Sequence, residues 1–333
     1  MKKYFFILAA AAALAACAKN EVTPVLSNEN TEIAYNVAPK TKADPDAFPT
    51  NNVFASWAYY LPNGKNWDAN SADATEYIVN STISYQNTAN VWKNTDNTYY
   101  WPKEGKLTFF AYSLNKENLT GAAIHCAHDN GITGTIDLKT NKNTDFLVAE
   151  IAKDKTANET AHGFNGVPTL FKHKLSKIVC NVKTEADYAN KVFNLTSIKF
   201  IGISYDGVYG QLPTEAFATG SNKDTQIYTS ATQTLTSTFK PVATKDVEIY
   251  VPQTFTDETA KIVVDYTITT TVPGGAPHVE HCNFEINLKD KFTDGWKMGK
   301  KYTINLTFKL DEILWAPAVE DWTDATAAGV DIQ

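Results

Sequence analysis

Apolar and polar residues alternate with period two over most of the chain beyond residue 50. That spacing puts one face of a β-strand on a core and the other in water. In residues 77–85 it places Tyr77, Val79, Ile83 and Tyr85 on one face, and residues 247–251 and 262–268 alternate likewise. The clearest case is 302–310, with Tyr302, Ile304, Leu306, Phe308 and Leu310 on one side and Thr303, Asn305, Thr307 and Lys309 on the other. One wet face and one dry face are characteristic of an antiparallel sheet or sandwich. Residues 106–112 are apolar on both faces, which predicts an interior strand, and Phe146, Leu147, Val148 and Ala149 predict a short one.

Asn63-Gly64, Asp206-Gly207 and Gly274-Gly275 punctuate these runs as expected turns. Helical periodicity is scarce, and residues 185–191 are the candidate for a short helix. From Ala18 to Pro49 the sequence is polar, lacks sustained periodicity and carries Pro24, Pro39, Pro45 and Pro49, the pattern of a tether. The expected fold is all-β: two antiparallel β-sandwiches, residues 49–166 and 167–333, behind a leader at 1–16 and a tether at 17–48.

The leader reads Lys2-Lys3, an apolar run from Tyr4, and Leu14-Ala15-Ala16-Cys17. A charged start, a short apolar stretch and small residues before a cut are the parts of an export signal. The run is too short for a bilayer core, which needs roughly 20 residues. Cysteine directly after Leu-Ala-Ala resembles the lipobox of bacterial lipoproteins, which implies acylation of Cys17 once residues 1–16 are removed. The alternative is an ordinary signal followed by a free cysteine.

With 333 residues, 43% hydrophobic and 20% charged, the chain has the composition of an ordinary globular protein with room for two domains. The leader carries Lys2 and Lys3 and no acid, so without it the formal charge falls from −7 to −9. Such a surface repels phosphate backbones, and nucleic acid is not an expected partner. The chain contains no arginine, so it lacks the residue that clamps carboxylates and phosphates bidentately. Cys126, Cys180 and Cys282 remain after Cys17. Three is an odd number and allows at most one disulfide. Cys180 and Cys282 share their strand faces with Ile178 and Val182, and with Phe284 and Ile286, so both are expected to be small buried hydrophobes.

Candidate chemistry is thin. His125, Cys126 and His128 are the one dense group of potential ligands, but none follows at a recognised zinc-site spacing, and no metal or cofactor is expected. His173 stands beside a strand and is expected to pack or hydrogen-bond. No catalytic motif occurs, so no enzyme and no catalytic residue is expected. The seven tryptophans are expected to anchor cores; the alternative function, a surface glycan-binding lipoprotein of a nutrient-uptake system, needs some of them as exposed stacking platforms.

Several stretches resemble the fimbrillin-like pilin family of Bacteroidetes, lipoprotein precursors of cell-surface fimbriae. They are Tyr99-Tyr100-Trp101-Pro102 followed by Leu107-Thr108-Phe109-Phe110-Ala111-Tyr112, then Asp145-Phe146-Leu147-Val148-Ala149. Phe171-Lys172-His173-Lys174-Leu175-Ser176-Lys177-Ile178-Val179 and Trp315-Ala316-Pro317 with Glu320-Asp321-Trp322 complete the set. Together with the lipobox they stand in the family's order over nearly the whole chain.

The resemblance implies two transthyretin-like sandwiches, attachment to outer-membrane lipid through Cys17, and assembly with other fimbrial subunits by strand exchange. A trypsin-like protease would remove an N-terminal strand, here containing Ile33, Tyr35 and Val37. A strand from a neighbouring subunit would then fill the vacated groove. Relatives are often cut after an arginine; in its place stands Lys42, with Lys40 as the second candidate. The donor would come from residues 313–333, with Ile313, Leu314, Trp315, Val319, Trp322, Val330 and Ile332 as subunit contacts. Whether that tail is donated or pairs with its own domain stays open at this point.

Overall fold

A computed structural model of the chain describes residues 31–37, 48–114, 124–139, 142–157, 160–161, 164–310 and 312–322. These residues form a nearly all-β protein, as the alternation predicts; among them the α-helices are the single turns Trp67–Asn70 and Leu288–Lys291.

The first strands are β1 (Ala34–Asn36), β2 (Val53–Leu61), β3 (Thr75–Gln86), β4 (Val91–Asn94) and β5 (Lys106–Leu114). Next come β6 (Ile124–Ala127), β7 (Gly131–Asp137), β8 (Phe146–Ala149), β9 (Val167–Pro168) and β10 (Phe171–His173). Eight of these lie side by side in the order β9-β1-β4-β3-β2-β5-β8-β10. The end strands β9 and β10 are separated only by Thr169 and Leu170. Three Cα–Cα steps span at most about 11 Å, so the sheet curls until its two ends meet. Ile33, Tyr35, Phe54, Trp92, Phe109 and Val167 fill the inside of the curl. Trp57, Tyr59, Phe110 and Phe146 belong to a second core with Ile132 and Ile136 of β7. Phe109 and Phe110 are successive residues of β5 and so point to opposite faces. Each face meets a core, which is why 106–112 carry apolar residues on both faces.

The chain continues through β11 (Ser176–Thr184), β12 (Lys191–Ser204), β13 (Asp206–Gly210), β14 (Ala216–Thr219) and β15 (Lys223–Thr229). It ends with β16 (Lys261–Thr270), β17 (His278–Asn287), β18 (Lys300–Phe308) and β19 (Ile313–Asp321). One sheet runs β15-β12-β16-β17 and another places β11, β18 and β19 side by side. They face each other: the Cys180 N–H on β11 donates to the Tyr228 hydroxyl on β15 at 2.9 Å, and Tyr266 on β16 meets Phe308 on β18 with ring centres 5.0 Å apart. A third core lies between them, built on Phe193, Phe200, Ile262, Ile304 and Leu306. The expected dry face of 302–310 is observed for Tyr302 to Phe308, all buried, while Leu310 lies exposed beyond the strand. β18 runs parallel to β11 and antiparallel to β19, so this sheet is mixed.

A further sheet, β14-β13-β7-β6, takes two strands from each side of residues 166/167. β9 and β10 follow that position yet pair with β1 and β8, which precede it.

Several local expectations are corrected. In β3 the buried apolar residues are Ile78 and Ile83, with Ser81 buried between them, while Val79 is exposed, because Asn80 takes a positive φ of 47° and shifts the alternation. Asp206-Gly207 opens β13 instead of making a turn, and a Cβ at Gly207 would lie 2.2 Å from the Phe217 ring on β14. Residues 185–191 form no helix. Asp187 there accepts hydrogen bonds from the Ser237 N–H and hydroxyl at 3.2 and 2.8 Å, holding the loop to a neighbouring one. Of 247–251 only Ile249–Tyr250 pairs as strand.

Candidate functional site

β1 is only three residues long, yet it is wedged between two other strands. Tyr35 stands opposite Trp92 of antiparallel β4 and opposite Val167 of parallel β9. Backbone bonds extend the pairing outward: the Ile33 N–H donates to the Tyr99 carbonyl and the Trp101 N–H to the Thr31 carbonyl, both at 2.8 Å. Alternation buries Ile33 and Tyr35 completely and leaves Val37 half-buried. The Tyr35 ring meets Phe54 and Phe109 edge-on at 5.6 and 5.9 Å, and its hydroxyl donates to Ser56 Oγ at 3.1 Å. Burial pushes that hydroxyl well above the usual tyrosine range. Gly166 allows β9 its close approach: φ is +133°, and a Cβ there would stand 3.0 Å from the Ala34 carbonyl oxygen. Residues 31–37 thus fill a slot in the curled sheet. Lys40 and Lys42, the expected processing positions, and Cys17, the expected lipidation position, lie outside the described residues.

The other end of the chain is held differently. β19 pairs with β18 along its whole length, from Phe308↔Ile313 to Lys300↔Asp321. It is the last strand of its sheet, and its other edge has no strand partner among the described residues. Residues 313–321 therefore pair with a strand of their own chain here. Ile313 is buried at one end, while Leu314 and Val319 are 44% and 56% exposed. Trp315 pairs through its backbone with Leu306, and Val330 and Ile332 lie outside the described residues. Trp322, just past the strand, is only 5% exposed. Its N–H donates to the Gly299 carbonyl at 2.9 Å, and its ring stacks on the His173 imidazole with centres 4.0 Å apart and planes 8° from parallel. Lys177 Nζ sits 5.6 Å from the centre of the same ring. His173 Nδ1 lies 2.5 Å from Asp145 Oδ2, with both side chains almost fully buried.

His173 therefore packs and hydrogen-bonds, as its position beside a strand predicts. Its partners could not be read from the sequence, because Asp145 and Trp322 are far from it along the chain. The same holds for Lys174, whose buried Nζ pairs with Glu215 Oε1 at 2.5 Å while the Tyr209 hydroxyl donates to that oxygen at 2.6 Å. Desolvation would raise the Glu215 value, but the bonds from Lys174 and Tyr209 outweigh it and hold the carboxyl below its usual range. Lys174 itself is lowered, burial outweighing its bond to Glu215. Burial costs the lysine more than its bond to Glu215 returns, while the carboxylate gains from that bond, so the contact fixes position and loss of Glu215 would leave the lysine buried without its partner.

Among the described residues no three His, Cys, Asp or Glu side chains converge as a metal site. Cys126, Cys180 and Cys282 are free thiols. Burial pushes the Cys126 thiol up to about 12 and raises the other two, the reverse of what a nucleophile needs. Trp57, Trp67, Trp92, Trp101, Trp296 and Trp322 are all buried in the three cores, so none of these six offers a sugar-stacking platform. An open surface groove of about 480 Å³ runs past Tyr60, Tyr77 and Pro102 to Lys103 and Glu104.

Among the described residues, three cores rich in aromatic rings and a filled slot in one sheet define a protein of the all-β class. Family comparison agrees: the family described as Fimbrillin-like matches residues 19–322, and the chain belongs to it. It is a fimbrial subunit, a structural and non-enzymatic protein of the cell surface. The fold is similar to the crystal structure of a fimbrial protein from Bacteroides vulgatus, with a TM-score of 0.67 at 18% identity over 88% of this chain and 100% of that one. Proteins assigned to cell adhesion from Bacteroides uniformis and Bacteroides ovatus align over 88% of this chain and 99% and 98% of theirs. Their identities are 19% and 18%, with TM-scores of 0.49 and 0.47. No curated protein matches the chain.

Proposed function

We propose that the protein is a lipidated precursor that joins fimbriae by strand exchange. Cys17 carries the acyl chains that hold the precursor in the outer membrane. Cleavage after Lys42, or after Lys40, separates β1 from the body. The vacated slot takes a strand from a neighbouring subunit, drawn from residues 313–333. Two units, 49–166 and 167–333, would then string along the fibre as transthyretin-like sandwiches, supporting adhesion.

The observation that carries this reading is the wedged β1. It contributes two fully buried side chains and backbone pairing on both edges, and it joins the body through the stretch that holds Lys40 and Lys42. Burying each side chain contributes roughly 1.5–3 kcal/mol, so an empty slot binds a replacement strand of matching alternation. Donation further requires β19 to leave β18; its exposed side chains and single ladder favour that.

The test is N-terminal sequencing of surface-shed protein with unheated gel electrophoresis. A start at Ala43 with a heat-labile ladder is expected. A shed, polymerised protein that still begins at acylated Cys17 refutes the exchange reading.

A further inference from the structure

We propose that residues 167–173 couple the two ends of the chain, so that loss of β1 loosens the seat of Trp322 and frees β19 for donation. This rests on the strand-exchange reading above and adds to it an order of events: a subunit offers its donor strand only after its own slot has been emptied.

The segment touches both ends directly. On one side Val167 and Pro168 pair with Tyr35 and Asn36, and the Thr169 N–H donates to the Asn36 carbonyl at 2.8 Å. β9 is the terminal strand of the curled sheet, and among the described residues β1 is its one ladder partner there. On the other side, four residues after Thr169, His173 carries the Trp322 ring. Side-chain contacts run the same way. Tyr35 meets Phe54 at 5.6 Å, Phe54 meets Phe171 at 5.2 Å, and Phe171 shares its strand face with His173 two residues on.

The seat itself depends on position. Asp145 holds His173 through one oxygen, and its other oxygen, Oδ1, is buried without a hydrogen-bond partner. A small displacement of β10 leaves that carboxylate with still less, and buried polar groups do not tolerate this. β19 responds because its described side chains are buried only at Ile313, while Trp322 closes the far end and everything from 317 to 321 is exposed. Without Trp322 the edge strand keeps Ile313, a single ladder and the exposed Lys300–Asp321 and Lys301–Glu320 pairs, which contribute little, and such an element opens first.

The experiment is hydrogen exchange on the full-length chain. Ile33→Asp with Tyr35→Asp places charges in the slot and expels β1 without proteolysis. Exchange is expected to rise on the order of tenfold at 167–173 and 313–321, within the usual range of site-to-site coupling. Free exchange at 31–37 with unchanged protection at 313–321 overturns the proposal. Coupling of this kind is reciprocal, so Trp322→Ala must raise exchange at 33–37 by a similar factor. If the charged variant fails to fold, that second variant decides, and unchanged protection at 33–37 then overturns the proposal. Ladders from a charged variant whose residues 313–321 stay protected refute the coupling and keep strand exchange. Loosened residues 313–321 without ladders support the coupling and refute strand exchange.

Discussion

The Tyr35 hydroxyl donates a 3.1 Å hydrogen bond to Ser56 Oγ across the interior of the curled sheet, and Ser56 in turn donates to the Phe110 carbonyl at 3.2 Å. One residue of β1 thereby ties itself to β2 and β5, strands it does not pair with. Tyr35→Phe removes the hydroxyl and is expected to lower stability by about 1 kcal/mol. Tyr35→Ala empties the slot of its ring and is expected to cost about 3–5 kcal/mol. Urea unfolding checks both through a lower midpoint at unchanged slope.

Gly166→Ala is expected to destabilise the closure of the sheet. The added Cβ would face the Ala34 carbonyl at 3.0 Å in a backbone region that side chains rarely adopt. The expected loss is about 1–3 kcal/mol, with faster exchange confined to residues 31–37 and 166–169. An exchange increase spread evenly over the third core instead would contradict this placement.

Acid should weaken the protein partly through Glu215. Its folded-state value lies below the ordinary 4.5, so its stabilisation is complete above that value and is lost as pH falls through the folded value. Asp96 and Asp265 are also lowered from 3.8; burial alone would raise them, but hydrogen bonds from Ser81 and from Ser197, Lys199 and Asn283 prevail. Glu215→Gln is expected to be less stable at pH 7 and to lose less between pH 6 and pH 3. Urea midpoints across that range give the comparison; parallel curves for the two proteins would rule out this contribution.

Thiol labelling at pH 8 should find the folded protein slow to react. Cys180 is buried in the third core and should label only on unfolding, whereas the half-buried Cys282 should label first. Burial raises all three thiols, so little thiolate is present at that pH. Rapid labelling of Cys180 in the absence of denaturant would show that β11 opens locally.

Much of the fold was legible because the alternating pattern acts locally. Residues 302–308 bury every second side chain as their pattern predicts, and residues 106–112 sit between two cores. Reading failed where one backbone angle or one neighbour overrode the pattern, as at Asn80, where the phase shifts, and at Gly207, where Phe217 takes the space of a side chain. Ile33 and Tyr35 were legible as a strand, but neither of their neighbours β4 and β9 could be named from the sequence. His173 was legible as a packing residue and Trp322 as a contact residue, yet nothing in the sequence joined them.

The sequence by itself determined the all-β class, the alternating faces, the absence of catalytic motifs and the family, because period-two patterning and local motifs need only neighbouring residues. Tertiary structure alone decided that β9 and β10 close the sheet around Tyr35, and that Trp322 docks on His173. Both depend on pairing residues more than a hundred positions apart, and such register is set by whole cores filling together, which no local stretch of chain encodes.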